Sequence, residues 1–455
     1  MSLRAGVSRI CITPPLGILL GGTFTRPEAE SVHDDLWAKC LFLQNDDVRL
    51  ALLTCDLLGL RYEMIDKVLR NLSARLGLKR AELVVNCSHN HSGPDTASVI
   101  HGPIEHPYMD ELASKLSQVV RDAVSDLQPA KVGYSMGRLE GACANRRIRV
   151  KGGEVRMNWE DIPDEDIVGF GPTDPDLGLL RVDDASGRPL AAVVHYTCHA
   201  AVVSPEPRQI SADYPGYTCR MIERLSEDGV TAMFVNGAFG DVNHILKPVQ
   251  YDAMARGTAA NRPFEEAERV GQLVAAEALR LLPDVKTADA RIGSVAESVR
   301  MGLRKPPVTD LQEAQHIVRR EKARLEEAEQ NGDEPEVSRA LIELTYAEHW
   351  VGILERGLKQ AEMRLGAVHI GDLGISCIPG EPFVEIGFDI KKESPFNTTW
   401  VLGNTNGYTG YLPTEESFAQ GGYEVRTCGW SSWRQDADKV VVKESLDLLN
   451  QLKGG

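Results

Sequence analysis

Along the first 290 residues, short apolar runs alternate with longer segments whose apolar positions recur every three to four residues. The runs Arg49–Cys55, Glu82–Cys87, Lys131–Met136, Leu190–Thr197 and Thr231–Val235 are rich in Val, Leu and Ile and have the length of strands. Helical periodicity predicts helices over Tyr62–Leu76, Pro107–Leu127, Tyr214–Ser226 and Phe264–Leu282. Strands alternating with helices predict the α/β class, with a mixed or largely parallel sheet core flanked by helices. On such sheets ligands gather at strand carboxyl ends. The stretch from Leu311 to Lys359 differs: LQEAQHIVRREKARLEEAEQ is charged and helix-favouring, NGDEPE is a turn, and VSRALIELTYAEHWVGILERGLKQ resumes the helical period. This predicts a helical hairpin inserted over 308–360 within one domain spanning 1–455, serving packing or homo-oligomer contacts. Two further strands, Met363–Ile370 and Gly374–Ile378, a Gly- and Tyr-rich segment and a terminal helix over Asp436–Leu452 complete the pattern.

Composition narrows the class of partner. The chain of 455 residues is 42% hydrophobic and 25% charged, an ordinary globular mixture that excludes a disordered or fibrous protein. Lys and Arg number 50 against 66 Asp and Glu, a net −16, so the basic face that nucleic acid requires is not expected. The amino terminus has no apolar signal region, and no run reaches the ~18 apolar residues of a membrane helix. Among the nine cysteines, Cys55, Cys87 and Cys377 lie in apolar runs, as buried reduced thiols do. The expectation is a soluble cytoplasmic protein without a stable membrane anchor.

The candidate chemistry sits just beyond the strands. Cys87-Ser88-His89-Asn90-His91-Ser92-Gly93-Pro94 follows the run LVVN, and an H-x-H in extended backbone turns both imidazoles to one side. It suits half of a zinc site, or a polar turn. A second strand ends in His195-Tyr196-Thr197-Cys198-His199 and is followed by Ser211-Ala212-Asp213-Tyr214-Pro215-Gly216-Tyr217, where Asp213 can cap a helix. His195 is nearer the strand body and fits a core histidine; His199 is better placed for a site. A third strand leads into Gly240-Asp241-Val242-Asn243, and a fourth into Pro379-Gly380-Glu381. Glu381 fits a metal carboxylate or a first-turn helix acid, with Glu385 a weaker candidate. Asp56, after LALLTC, is a candidate to orient a ligand imidazole. His33 fits a pocket lining or a solvated turn, His101 and His106 are candidates for the cleft mouth, His316 and His349 for structural roles in the hairpin, and Trp430 and Trp433 for core packing or a pocket wall.

Taken in order, S-H-N-H-S-G-P, the strand ending in His199 with its trailing S-A-D-Y-P-G-Y, G-D-V-N, I-P-G-E and the Tyr408–Glu424 segment resemble the catalytic domain of the neutral (alkaline, non-lysosomal) ceramidase family, from about Gly6 to Glu424. That resemblance implies one zinc per chain and cleavage of an N-acyl bond. The family's leading motif histidine, a zinc ligand, falls on His89, and the histidine beside the metal on His91. Its other zinc histidine lies fourteen residues before an Asp followed by x-x-Gly-Tyr, a spacing met by His199 and Asp213 but not by His195. The P-G-E carboxylate falls on Glu381. The metal-binding Tyr, twelve residues before a Tyr-Glu pair, falls on Tyr411, with Tyr408 less favoured; the pair is Tyr423-Glu424, and Tyr423 matches a substrate-contacting tyrosine. The substrate-positioning Arg of the N-R element falls on Arg146.

Three departures shape the expected function. The family's Ser in G-D-V-S is Asn243 here, the C-terminal immunoglobulin-like domain is not expected, and neither a secretion signal nor a membrane-facing segment is seen. They point to a small, soluble amide as substrate, attacked directly by metal-bound water, with His91, Tyr423, Arg146 and Asn243 as the catalytic group. An esterase or lactonase using the same zinc, or a non-catalytic metal-binding scaffold, are the alternatives.

Overall fold

In the strand Val48–Cys55, Leu50 and Leu52 face one way and Ala51 and Leu53 the other, and both sets are buried. A strand apolar on both faces has to be covered on both faces, and this sets the architecture. The computed structural model describes residues 2–98, 100–102, 106–203, 208–226, 229–244 and 262–454. Two mixed sheets stack face to face with helices outside them.

The larger sheet contains β1 (Arg4–Cys11), β2 (Trp37–Asn45), β3 (Val48–Cys55), β4 (Leu83–Cys87), β5 (Gln128–Arg138), β6 (Asp176–Asp184), β7 (Pro189–Tyr196) and β8 (Thr231–Asn236), in the order β8-β7-β6-β5-β1-β2-β3-β4. The smaller contains β9 (Ile292–Gly302), β10 (Gln360–Ile370), β11 (Leu373–Cys377) and β12 (Thr398–Leu402), in sequential order. Leu41, Leu50, Leu52 and Val84 of the larger sheet meet Val368, Ile375, Trp400 and Leu402 of the smaller in one core. Helices α1 (Tyr62–Leu76) and α2 (Pro107–Ser125) cover β1–β4, and α3 (Asp213–Leu225) and α4 (Pro263–Leu281) cover β6–β8. The smaller sheet is covered by α7 (Val384–Glu393) and α8 (Ala437–Gly454).

Within these two sheets, among the described residues, pairing is parallel at β3–β4, β7–β8 and β11–β12 and antiparallel elsewhere, so the core is mixed and mainly antiparallel. The edge strands β4 and β8 run in opposite senses through the pairing order. Seven steps of roughly 20–25° accumulate to almost a half turn, which brings the carboxyl ends of the two edges together. They meet where Asn236 N donates to Asn86 Oδ1 at 3.3 Å. That convergence builds the site.

The predicted hairpin is present as α5 (Leu311–Asn331) and α6 (Glu334–Arg356). Asp310 and Asp333 cap the two helices, and Gly332 closes the first in the left-handed region that favours glycine. Tyr346 and Trp350 of α6 pack with Ile100, Cys428 and Trp430. No helix among the described residues is long and apolar enough to cross a membrane. The nine cysteines are unpaired.

His195 is a core residue. It is fully buried, stacks on Trp400 with ring centroids 5.2 Å apart, and approaches Val401 O at 3.2 Å. Burial pulls its pKa down to about 4. Because the folded value lies below the unfolded one, its contribution is complete above about pH 6.5 and is lost as pH falls toward 4. A His195→Gln variant is therefore expected to show a shallower drop in thermal midpoint across that window than the parent, measured by melting at successive pH values.

Candidate metal centre

Two strand ends and one short strand deliver the central residues. His89 follows β4 by two residues and adopts φ 65°, turning its ring inward, where Nδ1–H donates to Leu58 O at 2.7 Å. His199 follows β7 by three residues, and its Nδ1–H donates to Phe239 O at 2.8 Å. With both Nδ1 atoms committed to carbonyls, each Nε2 carries the free lone pair. Glu381, in a short strand paired with Tyr411–Leu412, places Oε2 2.9 Å from His199 Nε2 and 3.3 Å from His89 Nε2. All three side chains are at most 2% exposed.

This apposition tests the fit of a metal. Zn–N and Zn–O bonds of about 2.05 Å in a tetrahedron set ligands roughly 3.3 Å apart, the separation found here. His91 stands beyond them: its Nε2 is buried and has no partner, and the ligand nitrogens of His89, His91 and His199 all lie within 4.8 Å of one another. Burial holds His91 well below its usual pKa and brings His199 to about 4. Burial also pushes the Glu381 carboxyl up, but His89 and His199 outweigh it and hold the group well below the usual carboxylate range. A carboxylate oxygen set between two imidazole nitrogens calls for positive charge between them, and the spacing suits a shared cation. The residues fit a zinc-type ion.

Arg146 is the neighbouring charge. The two-residue strands Ala144–Asn145 and Val242–Asn243 pair, which sets Arg146 beside Asn243. Its Nη1 donates to Asn243 Oδ1 at 3.3 Å and stands 3.3 Å from His199 Nε2, while Nε donates to Glu424 Oε1 at 2.7 Å. The other Glu424 oxygen accepts from Arg147 at 2.7 Å. The guanidinium lies 5.2 Å from the Tyr411 ring and 5.8 Å from that of Tyr423. Of the two tyrosines weighed as ligands, Tyr408 donates to Glu381 Oε1 at 2.5 Å, whereas Tyr411 packs against Arg146.

Several expectations need correcting. Asp56 does not orient an imidazole; its carboxylate accepts from Trp37 N at 2.8 Å, and backbone carbonyls hold the rings instead. Asp213 is the first residue of α3 rather than its cap, and ties Val203 N at 2.8 Å. His33 stacks on Phe264 at 3.9 Å, away from the centre. His106 caps α2, but His101 lines a cleft of about 820 Å³ that has Tyr408, His349 and Trp430 in its walls. His349 of the hairpin therefore walls this cleft as well as packing on Trp430. Glu385 lies on α7, with Oε2 buried and unpartnered. Sequence reasoning missed Glu424 as the anchor of Arg146 and the carbonyls of Leu58 and Phe239.

Backbone closeness matters at Gly240, where an added Cβ would stand 2.4 Å from the Glu381 carbonyl oxygen. Gly240→Ala must push that short strand away, so it is expected to reduce metal content in purified protein although no ligand is altered; full metal occupancy would count against the geometry.

The chain matches the family model described as neutral/alkaline non-lysosomal ceramidase, N-terminal, over residues 4–286. It is 21% identical to a neutral ceramidase of Mycobacterium tuberculosis over 487 aligned positions, which cover 95% of this chain and 74% of that protein. To neutral ceramidase B of Dictyostelium discoideum it is 25% identical over 173 residues, 36% of this chain and 23% of the relative. The match to neutral ceramidase A of the same organism likewise covers only 28% of that protein. Superposition on the crystal structure of neutral ceramidase from Pseudomonas aeruginosa gives a TM-score of 0.77 at 18% identity, over 100% of this chain and 75% of that one. A ceramidase complexed with C2 gives 0.75 at 18% identity. The fold is shared along the whole chain and the family model covers well over half of it: this chain belongs to the neutral/alkaline non-lysosomal ceramidase family.

Proposed function

We propose that the protein is a zinc-dependent amidase that cleaves the N-acyl bond of a lipid amide. The observation that carries this reading is the apposition of Glu381 Oε2 to two imidazole nitrogens at 2.9 and 3.3 Å inside a buried chamber. Membership of a ceramidase family, and the ceramidases among its relatives, favour an amide whose acyl part is a lipid chain. The earlier expectation of a small, soluble substrate gives way on that ground. His89, His199 and Glu381 are the ligands, with Tyr411 or Tyr408 as a fourth. When bound, zinc supplies Lewis acidity and lowers the pKa of a water molecule to about 7.

The chain's own groups do the rest. His91, neutral and with an unpartnered Nε2, is placed to accept a proton or align the attacking water. Arg146, fixed by Glu424, presents N–H groups beside His199, where a carbonyl oxygen gains negative charge. Tyr423 flanks that guanidinium, and Asn243 holds it through Oδ1. Asn243 cannot act as a nucleophile, so no acyl-enzyme forms. Nine unpaired cysteines suit a reducing, cytoplasmic setting.

The test is zinc content together with a screen of N-acyl lipid amides and matched esters. About one zinc per chain, with amide cleavage lost on chelation and regained with zinc, is expected. Full turnover by metal-free protein would overturn the reading, and turnover of esters alone would move it to an esterase.

A further inference from the structure

The cleft of about 820 Å³ that has His101, His349 and Tyr408 in its walls also gathers N–H donors with nothing to bond. Arg26 and Ser98 line it at φ 47° and 51°, the left-handed region that favours glycine. Residues with a Cβ are held there only where their surroundings impose the geometry, and such places cluster at binding sites. Here one buried carboxylate imposes it. Asp95, 2% exposed, places Oδ2 3.1 Å from Arg26 Nε and accepts from Ser98 N at 2.9 Å through Oδ1. Arg26 Nη2 donates to Gly102 O at 3.0 Å, which leaves Nη1 without a partner among the described residues. The hairpin contributes Arg356, the last residue of α6, which has no partner among them either. A Cβ added at Gly352 would stand 3.3 Å from Arg356 Nη1, so the guanidinium lies back along the helix over a glycine of the same lining. Trp430 lines the cleft too; it is 1% exposed and its Nε1–H is unpartnered.

The charges leave a cation over. Arg26 has Asp95, Glu63 pairs with Arg61 at 3.4 Å, and the charge of Lys322 on α5 bears on Glu348. Arg356 is the remainder. Burial lowers the pKa of His101, and Arg26 and His349 lower it further; burial lowers that of His349, and Arg356 adds to the effect. We propose that this cleft binds a phosphate monoester group, held by Arg26 Nη1 and Arg356. The unmet groups are donors, so their partner is an acceptor, and the spare positive charge makes it an anion. Guanidinium N–H groups match phosphate oxygens in geometry, and a monoester carries about 1.5 to 2 negative charges at neutral pH. α6 lies beyond residues 4–286, in a part of the chain that the family model does not describe. Tyr408, in the same lining, donates to Glu381 Oε1 at 2.5 Å, so the occupant stands one side chain from the metal centre.

Calorimetric titration of the zinc-loaded protein with inorganic phosphate tests the site. Saturable binding is expected, and Arg356→Gln should weaken it about tenfold, the effect of losing a charged hydrogen-bond partner. That side chain is exposed, so the thermal midpoint should stay in place. Arg26→Lys should weaken binding about as much, because a lysine that reaches Asp95 has no second nitrogen to present. Titration after chelation tells the cleft from the metal centre: affinity that persists supports the cleft. No saturable binding, affinity lost with the zinc, or parental affinity in Arg356→Gln overturns the proposal. A second arm finds the source of the phosphate. If the substrate carries it, N-octanoyl O-phosphoethanolamine should show a KM about tenfold below that of N-octanoyl ethanolamine, and Arg356→Gln should erase the difference. Equal KM values beside intact phosphate binding assign the cleft to a free phosphate compound. Only this second arm rests on the amidase reading; if neither amide is cleaved, that reading fails on them and the titration still decides the site.

Discussion

His199→Ala is expected to abolish metal binding and turnover together. In the proposed centre the ring supplies one ligand nitrogen, and two carbonyls, Phe239 O at 2.8 Å and Val242 O at 3.2 Å, hold it in place. Its loss also leaves Glu381 facing His89 alone, with one of the two imidazoles that keep the carboxylate ionised removed. Several kcal/mol of transition-state stabilisation disappear, roughly a 10³-fold fall in kcat/KM. Metal analysis of purified variant and parent, run alongside the amide assay, checks both halves. A variant with parental zinc and parental turnover would remove His199 from the centre.

Glu424→Leu is expected to cause the largest loss of stability among substitutions outside the ligand set. Glu424 is fully buried, and its two oxygens take Arg146 and Arg147 at 2.7 Å each. Burial pushes its carboxyl up, but the two guanidinium groups outweigh this and hold it below its usual value. Since the folded pKa lies below the unfolded one, this contribution is in force above about pH 4.5 and fades as pH falls further. Replacing one partner of a buried pair strands the other, at a cost of about 3–5 kcal/mol; here two cations are stranded. Thermal melting at neutral pH should show a large drop for Glu424→Leu and a smaller one for Glu424→Gln, which keeps one acceptor. An unchanged midpoint for the leucine variant would mean that the two arginines find other partners.

Much of this was visible in the sequence, for identifiable reasons. His89 and His199 stand just past apolar runs, and a strand that must be buried carries whatever follows it to the sheet edge. The spacing of His199 to Asp213 set it apart from His195, which is stacked on Trp400 in the core. What was hidden lay in groups without a side-chain signature. Leu58 O and Phe239 O orient the rings, and no residue type announces a carbonyl. Asp56 looked like an orienting acid because it ends a strand, yet its carboxylate turns to Trp37 N. Glu424 served only as a spacing mark beside Tyr423, since nothing local shows that two arginines 278 and 277 residues away converge on it. The smaller sheet was half hidden as well. Ile292–Gly302 carries Glu297, Ser298 and Arg300 at exposed positions, which dilutes its apolar pattern.

The centre is assembled from segments far apart in the chain: His199 and Glu381 are separated by 182 residues, and the family model ends at residue 286, short of Glu381. This orders events during synthesis. A nascent chain that has released residues 1–290 can build β1–β8 and present two imidazoles, but it holds no carboxylate to complete the cage. Under the proposed reading, tight metal capture waits until the smaller sheet has docked, and ion uptake is a late step that reports completed assembly. A ribosome-stalled chain ending before Glu381 should bind zinc only weakly, and the full chain tightly, which makes the ion a seal on the finished protein.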